Sequence, residues 1–269
     1  MTLTPPVPDL YSIPFGRTGP LVVFCHGLFG QGRNWAQIAK HLGLNGFRTL
    51  LLDMPDHGRS AWTDDFSYLG MADMVAAWLA ASPEVAGEAV RLVGHSMGGK
   101  VAMLLALRHP GLVARLCVVD IAPVAYHGHD NITEIARAAS ALNVHTLTSR
   151  HEAAIRLADG IPDKVIRSWL LTNLVRDASG WHWTMNLKLL AANLDRIAGW
   201  PQVEGRWDGP VLWVKGGDSD FVTPAYAPAM QRYFPATRRI VVKNSGHWVQ
   251  AEQPQVFTAV LERFLRAGR

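Results

Sequence analysis

The segment Val90-Arg91-Leu92-Val93-Gly94-His95-Ser96-Met97-Gly98-Gly99-Lys100 joins a short apolar run to an amphipathic stretch through a serine flanked by glycines. The run has the length and β-branched content of a buried strand, and residues 100–107 carry apolar side chains at helical spacing up to His109-Pro110. Gly-x-Ser-x-Gly at such a junction places the serine on a sharp strand-to-helix turn. The backbone there is expected to be strained. Side chains at positions 94 and 98 would collide with neighbouring elements, so glycine is required on both sides. The helix N-terminus behind Ser96 offers a backbone N–H and a favourable dipole to an oxyanion.

The rest of the chain repeats the alternation. Apolar runs at Leu21–Cys25, 47–52, 116–119, 211–214 and 240–242 each end in polar or glycine residues, with helical periods at 68–79 and 255–265 between or after them. Parallel strands joined by helical crossovers, a mostly parallel central sheet flanked by helices, account for this order. Such sheets gather their ligands at the strands' C-terminal ends. The 269 residues suit one large α/β domain or one domain with an insertion. Apolar residues at 49% and charged residues at 18% exclude a disordered chain.

A formal charge of +4 is spread over the sequence with no basic run longer than Arg238-Arg239, so no nucleic-acid partner is expected. Cys25 and Cys117 both lie in strand patterns, which argues against a disulfide framework. Residues 1–10 are proline-rich and lack the regions of a signal peptide, and no apolar run approaches the roughly 20 residues of a membrane span. A cytoplasmic protein is the expectation. Nothing in the sequence bears on oligomeric state.

The alternation breaks between residues 124 and 200, where no strand is evident and helical periods appear at 133–142, 152–157 and 164–174. We expect residues 1–123 and 201–269 to form the core and 124–200 a helical cap inserted after the sixth strand. Trp169, Trp181, Trp183 and Trp200 would make the cap's small core, with one or two of them facing a pocket.

Ser96 needs a base to take its proton. His247, in Asn244-Ser245-Gly246-His247 after the last strand, fits the chain order nucleophile, acid, histidine. His26-Gly27-Leu28-Phe29-Gly30 forms a tight turn after an earlier strand and would aim the Leu28 N–H at the same point as the Met97 N–H, making an oxyanion hole. His26 reads as a brace for that loop, and His57, His95 and His109 as structural. Tyr126-His127-Gly128-His129-Asp130 lacks a third histidine at metal-binding spacing and reads as a hinge.

The acid has competing candidates. In most enzymes of this architecture it lies in a turn Gly-x-x-Asp-x-x-Val-Pro, but counting back three from Val222 lands on Ser219, with Asp218 and Asp220 one residue off. Asp120, in Val118-Val119-Asp120-Ile121-Ala122-Pro123, can reach the same histidine from the adjacent strand and is preferred, with Asp218 and Asp220 as alternatives.

Together these residues resemble the α/β-hydrolase superfamily over essentially the whole chain, including Asp53-Met54-Pro55-Asp56-His57-Gly58-Arg59-Ser60, where Asp56 stands in place of the usual glycine. Within it, His26 to Gly30, Gly94 to Lys100, Val119 to Pro123 and Gly216-Gly217-Asp218-Ser219 are similar to the YbfF-like esterases. That resemblance implies Asp120 as the acid and Ser219 as an auxiliary hydrogen-bonder near the histidine. It also implies activity on short- to medium-chain acyl esters or thioesters.

The expected function is therefore ester hydrolysis through an acyl-Ser96 intermediate on a small-molecule acyl ester, with no metal or organic cofactor. The alternatives are a cofactor-free haloperoxidase or perhydrolase, a C–C hydrolase or an acyltransferase of the same fold, or a catalytically silent ligand-binding protein. Dehalogenases and epoxide hydrolases would call for an aspartate at position 96.

Overall fold

In the computed structural model, residues 7–127 and 130–267 are described. His129, half of the histidine pair weighed as a metal site, lies outside the described residues, as do residues 1–6 of the proline-rich start.

The strands are β1 (Ser12–Phe15), β2 (Leu21–Cys25), β3 (Arg48–Leu52), β4 (Val90–His95), β5 (Val113–Val119), β6 (Leu174–Asp177), β7 (Gly180–Trp183), β8 (Val211–Gly216) and β9 (Thr237–Val242). The α-helices are α1 (Ala36–Leu44), α2 (Tyr68–Ala81), α3 (Met97–Arg108), α4 (Asp130–Ala141), α5 (Arg150–Arg156), α6 (Lys164–Leu170), α7 (Leu187–Ala192), α8 (Leu194–Ala198), α9 (Ala227–Tyr233), α10 (Val249–Glu252) and α11 (Pro254–Arg266). Seven strands make one sheet in the order β1-β3-β2-β4-β5-β8-β9, with β1 antiparallel to β3 and the other pairs parallel.

Because successive side chains on a strand point to opposite faces, one strand feeds two cores. Val22 and Phe24 of β2 pack with α1 and α11, whereas Leu21, Val23 and Cys25 pack toward α2 and α3. Both cysteines are buried and free. Register then sets the site. Cys25 pairs with Gly94, and His95 with Val119, so the loops starting at His26, Ser96 and Asp120 leave the sheet side by side.

The expected strands and helices are present, together with helices α1, α7, α8, α9 and α10 and two strand features that were not expected. β1 lies ahead of the first expected strand, and residues 174–183 form the β6–β7 hairpin in a region where no strand was evident. Its signal was short: Leu174 and Val175, then a turn in which Asp177 accepts from Ser179 N at 2.8 Å, then Gly180 at φ +105° and alternating Trp181 and Trp183. Four-residue strands carry too few periods to stand out from flanking helices. Among the described residues the insertion follows the fifth strand, β5, not the sixth.

Two loops at the sheet's C-terminal edge are braced by buried histidines. His26 donates Nδ1–H to Gly27 O at 2.8 Å and accepts Met54 N–H at Nε2 at 3.0 Å. His57 donates Nδ1–H to Pro55 O at 2.9 Å and accepts Phe29 N–H at Nε2 at 3.1 Å. Backbone carbonyls can only accept and backbone N–H groups only donate, so both rings are held as the neutral Nδ1–H tautomer. Burial pushes their pKa values down, to about 4 for His26 and about 3 for His57.

The insertion is anchored to this frame. Asp56 adopts φ +67°, a glycine's conformation, while Asn186 donates its backbone N–H to Asp56 O (2.8 Å) and Nδ2–H to Asp56 Oδ1 (2.9 Å). Lys100 lies four residues after Ser96 on the same face of α3 and is only 1% exposed. Its ammonium donates to Ile197 O, Ala198 O and Gly199 O at 3.2, 2.7 and 2.5 Å, capping the C-terminus of α8.

The unfolded chain protonates its histidines near pH 6.5, the folded one only near pH 4 and 3 at these two positions. Their contribution is whole above pH 6.5 and falls as the pH drops. Urea unfolding at pH 5 is expected to show a loss of about 2 kcal/mol for each ring relative to pH 7.5. His57→Gln should reduce that pH dependence, and an unchanged profile would contradict the assignment. Lys100→Met removes the donor of Gly199 O, while Tyr68 OH and Tyr126 N–H still serve Ile197 O and Ala198 O, and is expected to cost about 1–3 kcal/mol of stability, read as a lowered melting temperature.

Candidate active site

Ser96 caps α3 with φ +53° and ψ −120°, a strained conformation outside the helical and extended regions. The flanking glycines make this turn possible. A Cβ on Gly94 would meet Gly98 O at 2.4 Å, and one on Gly98 would meet His26 O at 2.4 Å. The elbow is thus wedged between its own helix and the loop after β2. Ser96 remains partly exposed, facing a cavity of about 560 Å³.

His247 reaches the same cavity from the loop after β9. Its Nδ1 lies 2.9 Å from Asp120 Oδ2. Asp120 follows β5, is fully buried and adopts φ +49°. Its Oδ1 accepts Gly216 N–H at 2.9 Å, and Oδ2 also accepts the Ser219 hydroxyl in a short hydrogen bond. Three donors satisfy a carboxylate that has no access to water. With Nδ1–H turned to Asp120, His247 keeps Nε2 as its basic nitrogen.

The structure therefore brings together Ser96, His247, Asp120 and Ser219. Asp218 and Asp220, the alternative acids, are exposed on either side of Ser219 and make no hydrogen bond to His247. The one-residue offset explains this: in the turn after β8, Ser219 is the side chain that points back to the sheet.

Leu28 and Met97 both line the cavity. As the first residue of α3, Met97 has no helical carbonyl to receive its N–H. Gly27 O accepts from His26 Nδ1–H and from Gly30 N–H at 2.9 Å. In a trans peptide the N–H points opposite to the C=O, so these two bonds also fix the direction of the Leu28 N–H. The expectation that His26 is a loop brace agrees with this geometry.

His95 is buried and donates Nε2–H to His247 O at 2.8 Å, which holds the backbone of the neighbouring histidine. Burial pushes its pKa well below the ordinary range, so it adds no charge beside His247. His109 pairs with Asp73 at 2.8 Å, away from the cavity, as its structural reading required.

Several contributors were not anticipated. Phe221 stacks on the His247 ring at 4.0 Å, a contact that local sequence does not announce. Glu252 accepts Gly246 N–H at 2.8 Å and Trp248 N–H at 3.2 Å, bracketing His247. Lys100 could have been found from its i+4 relation to Ser96 within an apolar helix. Of the four insertion tryptophans, Trp169 lines the cavity and packs against Trp248 at 5.9 Å, while Trp181, Trp183 and Trp200 pack on the core. Ile132, Ile135, Leu194 and Ile197 from the insertion and Ile121 from the loop after β5 make an apolar wall.

Residues 20–254 match the family model described as alpha/beta hydrolase fold. The chain is 38% identical to the sn-1-specific diacylglycerol lipase ABHD11 of Mus musculus, covering 97% of this chain and 86% of that protein. It is 31% identical to Esterase YbfF of Escherichia coli, covering 91% and 92% of the two chains. Among solved structures, a marine microorganism esterase superposes with a TM-score of 0.91 at 31% identity, over 96% of this chain and 99% of that one. Homologues named esterase and lipase, and a solved esterase of similar structure, support a carboxylic ester hydrolase. The chain belongs to the α/β-hydrolase family.

Proposed function

We propose that the protein hydrolyses short- to medium-chain acyl esters or thioesters through an acyl-Ser96 intermediate. The observation that carries this reading is the His247 Nδ1 to Asp120 Oδ2 hydrogen bond of 2.9 Å, made at a cavity that the strained Ser96 also faces.

In this mechanism His247 Nε2 takes the Ser96 proton as Oγ attacks the acyl carbon. Negative charge develops on the former carbonyl oxygen, which accepts from the Leu28 and Met97 N–H groups. Collapse expels the alcohol or thiol, to which His247 returns the proton. Water, deprotonated by the same nitrogen, then attacks the acyl-enzyme and releases the acid. Asp120 holds the ring in the Nδ1–H tautomer and stabilises the imidazolium, while Ser219 and Gly216 hold Asp120. The Phe221 ring face also favours a positive His247.

Residues 124–200 act here as a cap whose isoleucine and leucine side chains receive the acyl chain. The relatives' names fit this reading, one a lipase acting on diacylglycerol and one an esterase. A cytoplasmic setting belongs to the same reading, supported by two buried, unpaired thiols.

Steady-state hydrolysis of p-nitrophenyl esters from acetyl to palmitoyl tests the proposal. Turnover is expected to peak at a short or medium chain and to vanish in Ser96→Ala. Activity that survives Ser96→Ala, or none at any length in folded wild type, would refute it.

The acid is tested separately. Asp120→Asn places an amide N–H against either Gly216 N–H or the Ser219 and His247 donors, and is expected to lower kcat about 10³–10⁴-fold. Ser219→Ala leaves the Asp120 to His247 bond in place, and a loss within about tenfold is expected. Asp218→Asn and Asp220→Asn should turn over as wild type. The reverse pattern would move the acid to the turn after β8.

A further inference from the structure

The insertion reaches into the loop that carries Leu28. Asn173, in the turn between α6 and β6, has no solvent exposure. Its Nδ2–H group donates to Phe29 O at 2.7 Å and to Leu170 O at 3.2 Å, and its Oδ1 accepts Gln31 Nε2–H at 2.6 Å. Two backbone carbonyls can only accept, which settles the orientation of the Asn173 amide. Gln31 must then present Nε2 to it, and Thr184 Oγ1 receives a second Gln31 N–H at 3.2 Å.

Phe29 is buried and adopts φ +58°, a left-handed conformation unfavourable for a bulky residue. Both of its backbone groups are held by side chains. His57 takes its N–H and Asn173 its C=O. Three successive peptide planes are thereby fixed: the Gly27–Leu28 plane by His26 and Gly30, the next by His57, and the Phe29–Gly30 plane by Asn173. The first two are held from within the core. The third is held on its N–H side by the Gly30 to Gly27 bond and on its C=O side by Asn173, a residue of the insertion.

We infer that Asn173 is a positioning residue for ester hydrolysis, holding the left-handed Phe29 from the insertion so that the Leu28 N–H stays aimed at the oxyanion. This rests on the acyl-Ser96 reading above. It makes docking of the insertion part of assembling the oxyanion hole, beyond covering the cavity. Asn173 touches no reacting atom, so its loss should leave substrate binding intact and weaken stabilisation of the tetrahedral state.

The experiment compares wild type, Asn173→Ala and Gln31→Leu, the last loosening the same amide without changing Asn173. For each, kcat and KM are measured on the best p-nitrophenyl ester, per folded molecule. Inhibition is measured with an alkyl trifluoromethyl ketone, whose serine adduct carries an oxyanion in the same place. Expected is a fall in kcat of about 10–100-fold in Asn173→Ala, less than the roughly 10²–10³ of a deleted oxyanion donor, with KM within about threefold. The ketone should weaken by the same factor as kcat/KM, and Gln31→Leu should move both in the same direction. If the variants only melt earlier, with kcat and ketone inhibition unchanged, the inference is overturned. Should Asn173→Ala fail to fold, Gln31→Leu alone decides the matter by the same readouts. A folded wild type that neither turns over the ester nor binds the ketone would overturn the acyl-serine reading itself, and this inference with it.

Discussion

A single buried carboxylate holds the site's elements in place. Asp120 leaves β5 in a left-handed conformation, its N–H given to Val214 O at 2.9 Å, and its two oxygens collect donors from the end of β8, the turn beyond it and the loop after β9. A charge with no solvent exposure is tolerable only because those donors converge on it. The arrangement joins three parallel strand ends at one point. Parallel pairing delivers these ends to the same edge of the sheet, and the register of β4 with β5 puts Ser96 in the next row.

Strain is concentrated at this edge. Phe29, Asp56, Ser96 and Asp120 follow β2, β3, β4 and β5 in turn, Asn244 follows β9, and all five are non-glycine residues at positive φ. Each conformation costs on the order of 1 kcal/mol or more and persists because the sheet and the buried hydrogen bonds over-determine it. His26, His57 and His95 serve that purpose as neutral rings, their protons fixed by backbone partners. Among the imidazoles of the site, the partly buried His247 is set apart by having a carboxylate as its partner.

The strands, the elbow and the candidates Ser96 and His247, which line one cavity, were legible because each is a local pattern: an apolar run, glycines at fixed offsets, a histidine after the last strand. The acid was harder, since three aspartates lie near strand ends and only the third dimension shows which side chain turns inward. Asp120 and Ser219 do, while Asp218 and Asp220 face solvent. Phe221, Asn173 and Glu252 were not legible at all. Their roles depend on contacts with residues on other loops, and an asparagine between Thr172 and Leu174 has no period to betray it. The β6–β7 hairpin was missed for a related reason, as its strands are too short to show alternation.

Asp56 carries a consequence of another kind. It occupies a backbone conformation that glycine would adopt more easily, yet its carboxylate holds Thr63 and Asn186 and so moors the insertion to the turn after β3. Glycine at this position would keep the turn and the Asn186 N–H to backbone O bond but lose the carboxylate's hold on Asn186 and Thr63. A one-residue exchange thus trades backbone ease against the grip on the insertion without altering Ser96, His247 or Asp120. The strength of that grip is set at a residue that does not itself line the cavity.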